Sequence, residues 1–332
     1  MKTNFLITLM VLLAFSCEKE HNSTPDSISY VFSFSTEPRP ITLTIDKEGG
    51  IIYVANLKPS NNDYSAKIQK FNKEGELLKT VVDFETFDKG NFLRYLPVDI
   101  TIDDNRNLYV LVNPLIEQTD ETWTTPTGFC ILQFDFNGSF KKEFDLSQID
   151  GEGSPSSIAY SNKHVFVTNG RIIKKISIES EQVFDILLPV SEKNINTWPD
   201  LHTTDMAINS EGIIYLTGQA AFSNDSVGCH ITKFYPQNNQ RITSYSKGWT
   251  GMFAAMLNNP GLSISSDGNI YLATFYVMSL EIFNKNIEFI MQLDIRTEND
   301  KETRPIDIAL DNSHIYIADN KNNLILVYKE FY

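Results

Sequence analysis

The sequence predicts an all-β chain: a six-bladed β-propeller of four-stranded antiparallel blades, with the last blade closed by the N-terminal strand. Three observations lead there. One unit recurs six times, helical periodicity of any length is absent beyond the first residues, and the sixth unit lacks a strand that the start of the chain can supply.

The unit is clearest in LPVDITIDDNRNLYVLV (Leu96–Val112). It recurs as RPITLTIDKEGGIIYVAN (Arg39–Asn56), SPSSIAYSNKHVFVTN (Ser154–Asn169) and TTDMAINSEGIIYLTG (Thr203–Gly218). The last two copies are NPGLSISSDGNIYLAT (Asn259–Thr274) and RPIDIALDNSHIYIAD (Arg304–Asp319). Each is an alternating strand, a polar turn built from Gly, Asn or Asp, and a second strand carrying Tyr or Phe, which is the signature of a hairpin. A third strand follows as KIQKF, CILQF, IIKKI, HITKF, SLEIF and LILVY. A fourth follows in five copies, as LLKTVVDF, FKKEFDL, QVFDILLPV, RITSYSK and EFIMQLDI. Four antiparallel strands repeated every 45–60 residues or so make the blade of a propeller.

The sixth copy stops at three strands, leaving the edge of Leu324–Lys329 bare. An uncovered edge of Leu, Ile, Val and Tyr is a template for aggregation. Upstream of the first repeat lies SISYVFSFST (Ser27–Thr36). There Tyr30, Phe32 and Phe34 alternate with Val31, Ser33 and Ser35, giving one aromatic face and one smaller face. Paired beside Leu324–Lys329, this strand closes the ring.

At the N-terminus, Lys2 precedes an apolar run from Phe5 to Phe15 that ends at Ser16-Cys17. The run is short for a membrane span and has the form of a signal peptide, residues 1–16. LAFSC resembles the lipobox of bacterial lipoproteins, with Phe15 at the second position and Leu13 one place further upstream than usual. The resemblance implies lipidation of Cys17 and attachment to a membrane, since several acyl chains together anchor firmly where one does not. An ordinary secretory signal with an incidental cysteine is the other reading. Residues 17–27 then form a polar tether and 28–332 the propeller. The expected address is the bacterial cell envelope, at the outer membrane, on its periplasmic or surface side.

RPIDIALDNSHIYIADNKNN (Arg304–Asn323) resembles the NHL-type six-bladed propellers, in particular the lipid-anchored propeller proteins of Gram-negative envelopes. The resemblance runs from about Ser27 to the end of the sequence. It implies the fold and not one activity, because the scaffold hosts lyases, lactonases and protein-binding modules alike.

A formal charge of −14 argues against nucleic acid or an anionic membrane face as partner. Cys130 and Cys229 fall in blades two and four, which are not neighbours, so both are expected to stay unpaired. Zinc is not expected either. His164 and His314 sit at first-to-second strand turns, which leaves His202 and His230 with Cys229 on the opposite face, too few converging ligands. The channel histidine set of NHL-type amidating lyases is not reproduced.

Two constellations remain. The long connections FDKGNFLRYL (Phe87–Leu96), SEKNINTWPDLHT (Ser191–Thr203), KGWTGMFAAMLNN (Lys247–Asn259) and NPLIEQTDETWTTPTG (Asn113–Gly128) all belong to one face, here the loop face. They bring Trp123, Trp198 and Trp249 to the side that also carries Arg94, Tyr95, His202 and Arg304. As a binding set these suit a glycan, a peptide or an envelope protein; as structure, the aromatics cap the channel and pack between blades. The second constellation is one repeat position, occupied by Thr42, Asp99, Ser157, Asp205, Gly261 and Asp307. Asp99, Asp205 and Asp307 stand in alternate blades and could form a carboxylate mouth for calcium, the one cofactor the residues suggest. The reading favoured by satisfied carboxylates is that each accepts backbone N–H groups from the neighbouring blade. Two functions follow: a lipid-anchored binding or scaffold module working through its aromatic loop face, or a calcium-dependent hydrolase or lyase of lactonase type at the channel mouth.

Overall fold

In the computed structural model, which describes residues 27–59, 64–87, 93–117, 123–124, 128–146, 155–168, 172–187, 202–223, 226–250, 260–275, 278–299 and 301–331, the chain forms an all-β ring. Strand β1 (Ser27–Ser35) comes first. Blade 1 holds β2 (Pro40–Asp46), β3 (Ile51–Pro59), β4 (Tyr64–Asn72) and β5 (Leu77–Asp83). Blade 2 holds β6 (Leu93–Ile102), β7 (Leu108–Glu117), the short β8 (Trp123–Thr124), β9 (Cys130–Phe134) and β10 (Phe140–Asp145). Blade 3 comprises β11 (Ser157–Ser161), β12 (His164–Thr168), β13 (Ile172–Ser177) and β14 (Val183–Leu187). Blade 4 comprises β15 (His202–Ile208), β16 (Ile214–Ser223), β17 (Ser226–Tyr235) and β18 (Gln240–Thr250). Blade 5 is β19 (Gly261–Ile264), β20 (Ile270–Thr274), β21 (Ser279–Phe283) and β22 (Phe289–Asp294); blade 6 is β23 (Pro305–Leu310), β24 (His314–Asp319), β25 (Leu324–Phe331) and, as its outer strand, β1. The first strands β2, β6, β11, β15, β19 and β23 touch one another in turn around the centre, and β23 returns to β2.

Both faces of each blade are covered, so the inner strands are buried throughout rather than alternating between core and solvent. All five residues of β9, β20 and β21 are buried. Among the described residues the buried side chains fall into six clusters, one between each pair of neighbouring blades. Tyr53, Tyr109, Tyr215, Tyr271 and Tyr316 occupy the same repeat position in five second strands and are fully buried; blade 3 has Phe166 there. A buried phenol needs a partner, and the turn before it can provide one. Asp103 Oδ1 accepts the N–H groups of Asn105 and Asn107 at 2.9 and 2.8 Å, while its Oδ2 accepts the Tyr109 hydroxyl at 3.0 Å. Asp311 repeats the arrangement with Ser313, His314 and Tyr316. One carboxylate thus fixes the turn and the core tyrosine together, which explains the Asp-to-Tyr spacing in these repeats.

β1 pairs antiparallel with β25 from Ser27↔Phe331 to Ser35↔Leu324, as the sequence suggests, with one difference. The register shifts between Tyr30 and Phe32, leaving Val31 unpaired and exposed. One extra residue in a strand moves every later side chain to the opposite face. Ile28 and Tyr30 therefore join the cluster between blades 5 and 6, while Phe32 and Phe34 join the one between blades 6 and 1. The single aromatic face expected from alternation is split in two, and β1 seals both sides of blade 6. Phe34 also meets Phe71 of blade 1, ring centroids 5.0 Å apart.

Candidate functional site

First and third strands start on the loop face, where second and fourth strands end. On that face the blades are unequal. The hairpins β3–β4, β6–β7 and β16–β17 extend well past the ring, with pairings out to Pro59↔Tyr64, Leu93↔Ile116 and Ser223↔Ser226. Blades 3 and 5 have inner strands of only four or five residues. Among the described residues, the strands of blades 1, 2 and 4 therefore reach further on this face than those of blades 3 and 5.

The binding candidates distribute unevenly over this face. Arg94 lies half-buried in the raised part of β6. Tyr95, expected on the surface, is 3 % exposed and packs against Phe84 and Phe87 in the cluster between blades 1 and 2. The cause is strand extension: β6 begins at Leu93, so Tyr95 is an inward-facing strand residue and not a loop residue. The backbone of Trp123 lies in β8, paired with Glu117. His202 opens β15 opposite Gln219. Trp249 pairs with Val227 near the end of β18, so Lys247–Thr250 is strand and not part of the connecting loop anticipated above. Trp198 and Cys17 lie outside the described residues. Cys130 is buried in blade 2 and Cys229 belongs to blade 4, with blade 3 between them. His230 is buried within β17, and His164 and His314 begin second strands on the far side of the ring.

Arg304 lines a cleft of about 640 Å³ on the loop face, where blades 5, 6 and 1 meet. Its other walls are Arg39, Phe275, Met278, Glu302, Thr303, Asn320 and Lys321. These residues sit at the starts of first strands or between second and third strands, positions that the repeat directs to one rim. No single stretch of sequence announces the cleft.

At the channel mouth the aspartates sit in a hydrogen-bonded arc that runs from Asp307 through Thr42, Asp99 and Ser157 to Asp205. Asp99 Oδ1 accepts Ile100 N–H at 2.8 Å and the Thr42 hydroxyl at 2.6 Å. Its Oδ2 takes Ile158 N–H of blade 3 and faces the Ser157 hydroxyl, both at 2.8 Å. Asp205 accepts Met206 N–H at 2.7 Å and Leu262 N–H of blade 5 at 2.6 Å. Asp307 accepts Ile308 N–H at 2.8 Å and Leu43 N–H of blade 1 at 2.7 Å. Each carboxylate therefore ties its own blade to the next. In all three blades the strand register shifts just ahead of the aspartate, at Pro97/Asp99, Thr203/Asp205 and Pro305/Asp307. Such a bulge re-aims the residue beside it.

The protons of this arc can be counted. Thr42 bonds to Asp99 and to Asp307, and Ser157 lies 2.8 Å from both Asp99 and Asp205. Four hydroxyl–carboxyl contacts share two hydroxyl hydrogens, so the others are hydrogen bonds only when the carboxyls themselves carry protons. Electrostatics agrees. Burial and the nearby Asp99 push Asp307 up to about 7. Burial, then Asp307 and Asp99, raise Asp205 well above the carboxylate range; burial raises Asp99 against the hydrogen bonds that it accepts. Asp307 is buried while Asp99 and Asp205 are half-buried, so solvent screening moderates the shift more for the latter two.

Calcium takes six to eight oxygen ligands, so an ion at this mouth would have to displace the backbone N–H groups and hydroxyls that already surround both oxygens of Asp99. No group of three or more His, Cys, Asp or Glu side chains is placed to hold a metal among the described residues. The sixth position of the ring, Gly261, has a steric reason: a Cβ there would come 2.5 Å from Asp307 Cα. Gly261→Ala is expected to force blades 5 and 6 apart, lowering stability by about 1–3 kcal/mol in urea unfolding.

No protein-family model matches the chain, and no curated protein matches it in sequence. Solved structures do match in fold. A protein of unknown function from Bacteroides thetaiotaomicron is 9 % identical over 91 % of this chain and 75 % of its own, with a TM-score of 0.58. Virginiamycin B lyase from Staphylococcus aureus is 11 % identical over 91 % of this chain and 99 % of its own, TM-score 0.54. A streptogramin B lyase is 16 % identical over 91 % and 87 %, TM-score 0.50. At these identities the likeness establishes the six-bladed β-propeller and nothing finer.

Proposed function

We propose that the protein is a lipid-anchored envelope propeller that binds a ligand or partner on its loop face. The observation that carries this reading is the asymmetry of that face. The strands of three blades extend further than the others, a cleft of about 640 Å³ opens where blades 5, 6 and 1 meet, and the channel mouth is occupied by carboxylates bonded to backbone. A cavity of this size suits a small ligand, and the extended strands add area for a larger glycan, peptide or protein. The address rests on the N-terminal sequence alone: a signal of 16 residues, Cys17 as the lipid-bearing residue, and a polar tether. The matched lyases keep an enzymatic reading as the alternative, namely a calcium-dependent hydrolase or lyase acting at the channel mouth.

The test uses the mature chain with Cys17→Ser, immobilised and exposed to fractionated envelope glycans and peptides. A retained fraction should be lost on Trp123→Ala/Trp249→Ala or on Arg304→Gln with folding unchanged by circular dichroism. Retention that ignores all three changes would overturn the assignment to this face.

A further inference from the structure

We infer that the cleft between blades 5, 6 and 1 is a carboxylate-binding site, with Arg304 and Arg39 as its anion receptors. This deepens the loop-face reading and rests on it. The walls of the cleft carry three cations, Arg39, Arg304 and Lys321, and one acid, Glu302. Lys321 Nζ is 2.6 Å from Glu302 Oε2, so these two neutralise each other. Both guanidinium groups remain without an ion pair among the described residues. Two uncompensated arginines at one cavity stand out on a chain of net charge −14, which offers many carboxylates elsewhere.

Arg304 carries a second, independent sign. Its Nε is buried without a hydrogen-bond partner. A buried donor left unsatisfied is costly, and the few present in a native fold point to a missing ligand or water. The guanidinium lies over the Phe275 ring, 4.9 Å from Cζ to the ring centroid. That stacking holds the planar group in one orientation. Its backbone is fixed as well, with Arg304 N–H donating to Asp319 Oδ1 at 2.8 Å.

Arg39 is positioned at some cost. Its φ is 54°, a left-handed value uncommon outside glycine, and its N–H is held by Asn323 Oδ1 at 2.8 Å. The guanidinium fork matches a carboxylate through two parallel hydrogen bonds. Phe275 and Met278 supply apolar wall beside it. The occupant is therefore a small acid, or the acidic residue of a glycan, with a carboxylate on one side and a less polar body on the other.

The experiment titrates the mature Cys17→Ser chain by calorimetry with galacturonate, its uncharged match galactose, and inorganic phosphate. Saturable binding of galacturonate is expected, weakening as salt rises, with galactose and phosphate at least tenfold weaker or so. Arg304→Gln should lower galacturonate affinity on the order of tenfold or more, Arg304→Lys by less, and Arg39→Gln, at an exposed position, should lower it too. Melting curves of each variant separate lost binding from lost folding. Equal binding of galactose and galacturonate, preference for phosphate, or indifference to both arginine changes would overturn the inference. If the loop face still retains envelope ligands in the Trp-dependent manner above, the binding function stands without it. If neither assay gives a signal, both fall.

Discussion

Removal of residues 1–35 should leave a chain that does not fold to a stable ring, whereas removal of residues 1–23 should leave the melting temperature unchanged. The first cut deletes β1, which supplies the outer strand of blade 6 and places Ile28, Tyr30, Phe32 and Phe34 in two separate clusters. Burial of such side chains is worth about 1.5–3 kcal/mol each. Four of them approach the whole stability of a typical domain, about 5–15 kcal/mol. The loss also bares the edge of β25, so aggregation should accompany unfolding. Because the strand is an addition to an existing sheet, a peptide of residues 27–36 supplied in trans should partly restore the melt. A truncated chain that melts within a few degrees of the full one would show that β1 is dispensable.

The second large effect concerns pH. A carboxyl whose folded pKa exceeds its unfolded value of 3.8 binds its proton more tightly in the fold. Its contribution to stability is complete on the acid side and lost as pH rises through the folded pKa, about 7 for Asp307. The melting temperature should therefore fall by several degrees between mild acid and pH 8, the reverse of the trend set by ion-paired carboxylates. Below the ordinary carboxylate range the slope turns over. Although burial raises it, Asp311 is held low overall by the N–H groups of Ser313 and His314 and by Lys73 and His314, and protonation there removes stability. Asp307→Asn should flatten the decline near neutrality. Asp99→Ala should cost on the order of 3 kcal/mol at any pH, because the amides of Ile100 and Ile158 lose their acceptor. A flat profile in the wild type would mean that the arc carries no shared protons.

Much of the architecture is legible in the repeat. Hairpin periodicity, turn chemistry and the second-strand Tyr define the blades, and the orphan strand Ser27–Ser35 finds its partner by elimination. The ring aspartates are legible too, since the repeat aligns them at one position and a carboxylate there must be satisfied. What escapes is whatever depends on local departures from period. The bulge at Val31 is one unpaired residue, and nothing in SYVFSFS distinguishes it from regular alternation, yet it sends Phe32 and Phe34 to the other face. Tyr95 escapes for a similar reason, because strand extension beyond the repeat unit cannot be read from the unit. The cleft escapes because Arg39 and Arg304 are far apart in the chain and meet only when the ring closes. Of the cleft residues the repeat singles out Arg304, through its place on the loop face; its orphaned Nε and its stacking on Phe275 are properties of the folded ring.

The division of labour between a structural channel mouth and a binding loop face is most directly tested by calcium. Thermal melts of the mature Cys17→Ser chain at pH 7 should coincide in calcium and in EDTA, because the oxygens of Asp99, Asp205 and Asp307 are committed to backbone and hydroxyl donors. A saturable rise in melting temperature with calcium, abolished in an Asp99→Asn/Asp205→Asn/Asp307→Asn variant that still folds, would contradict it and move the working site into the channel.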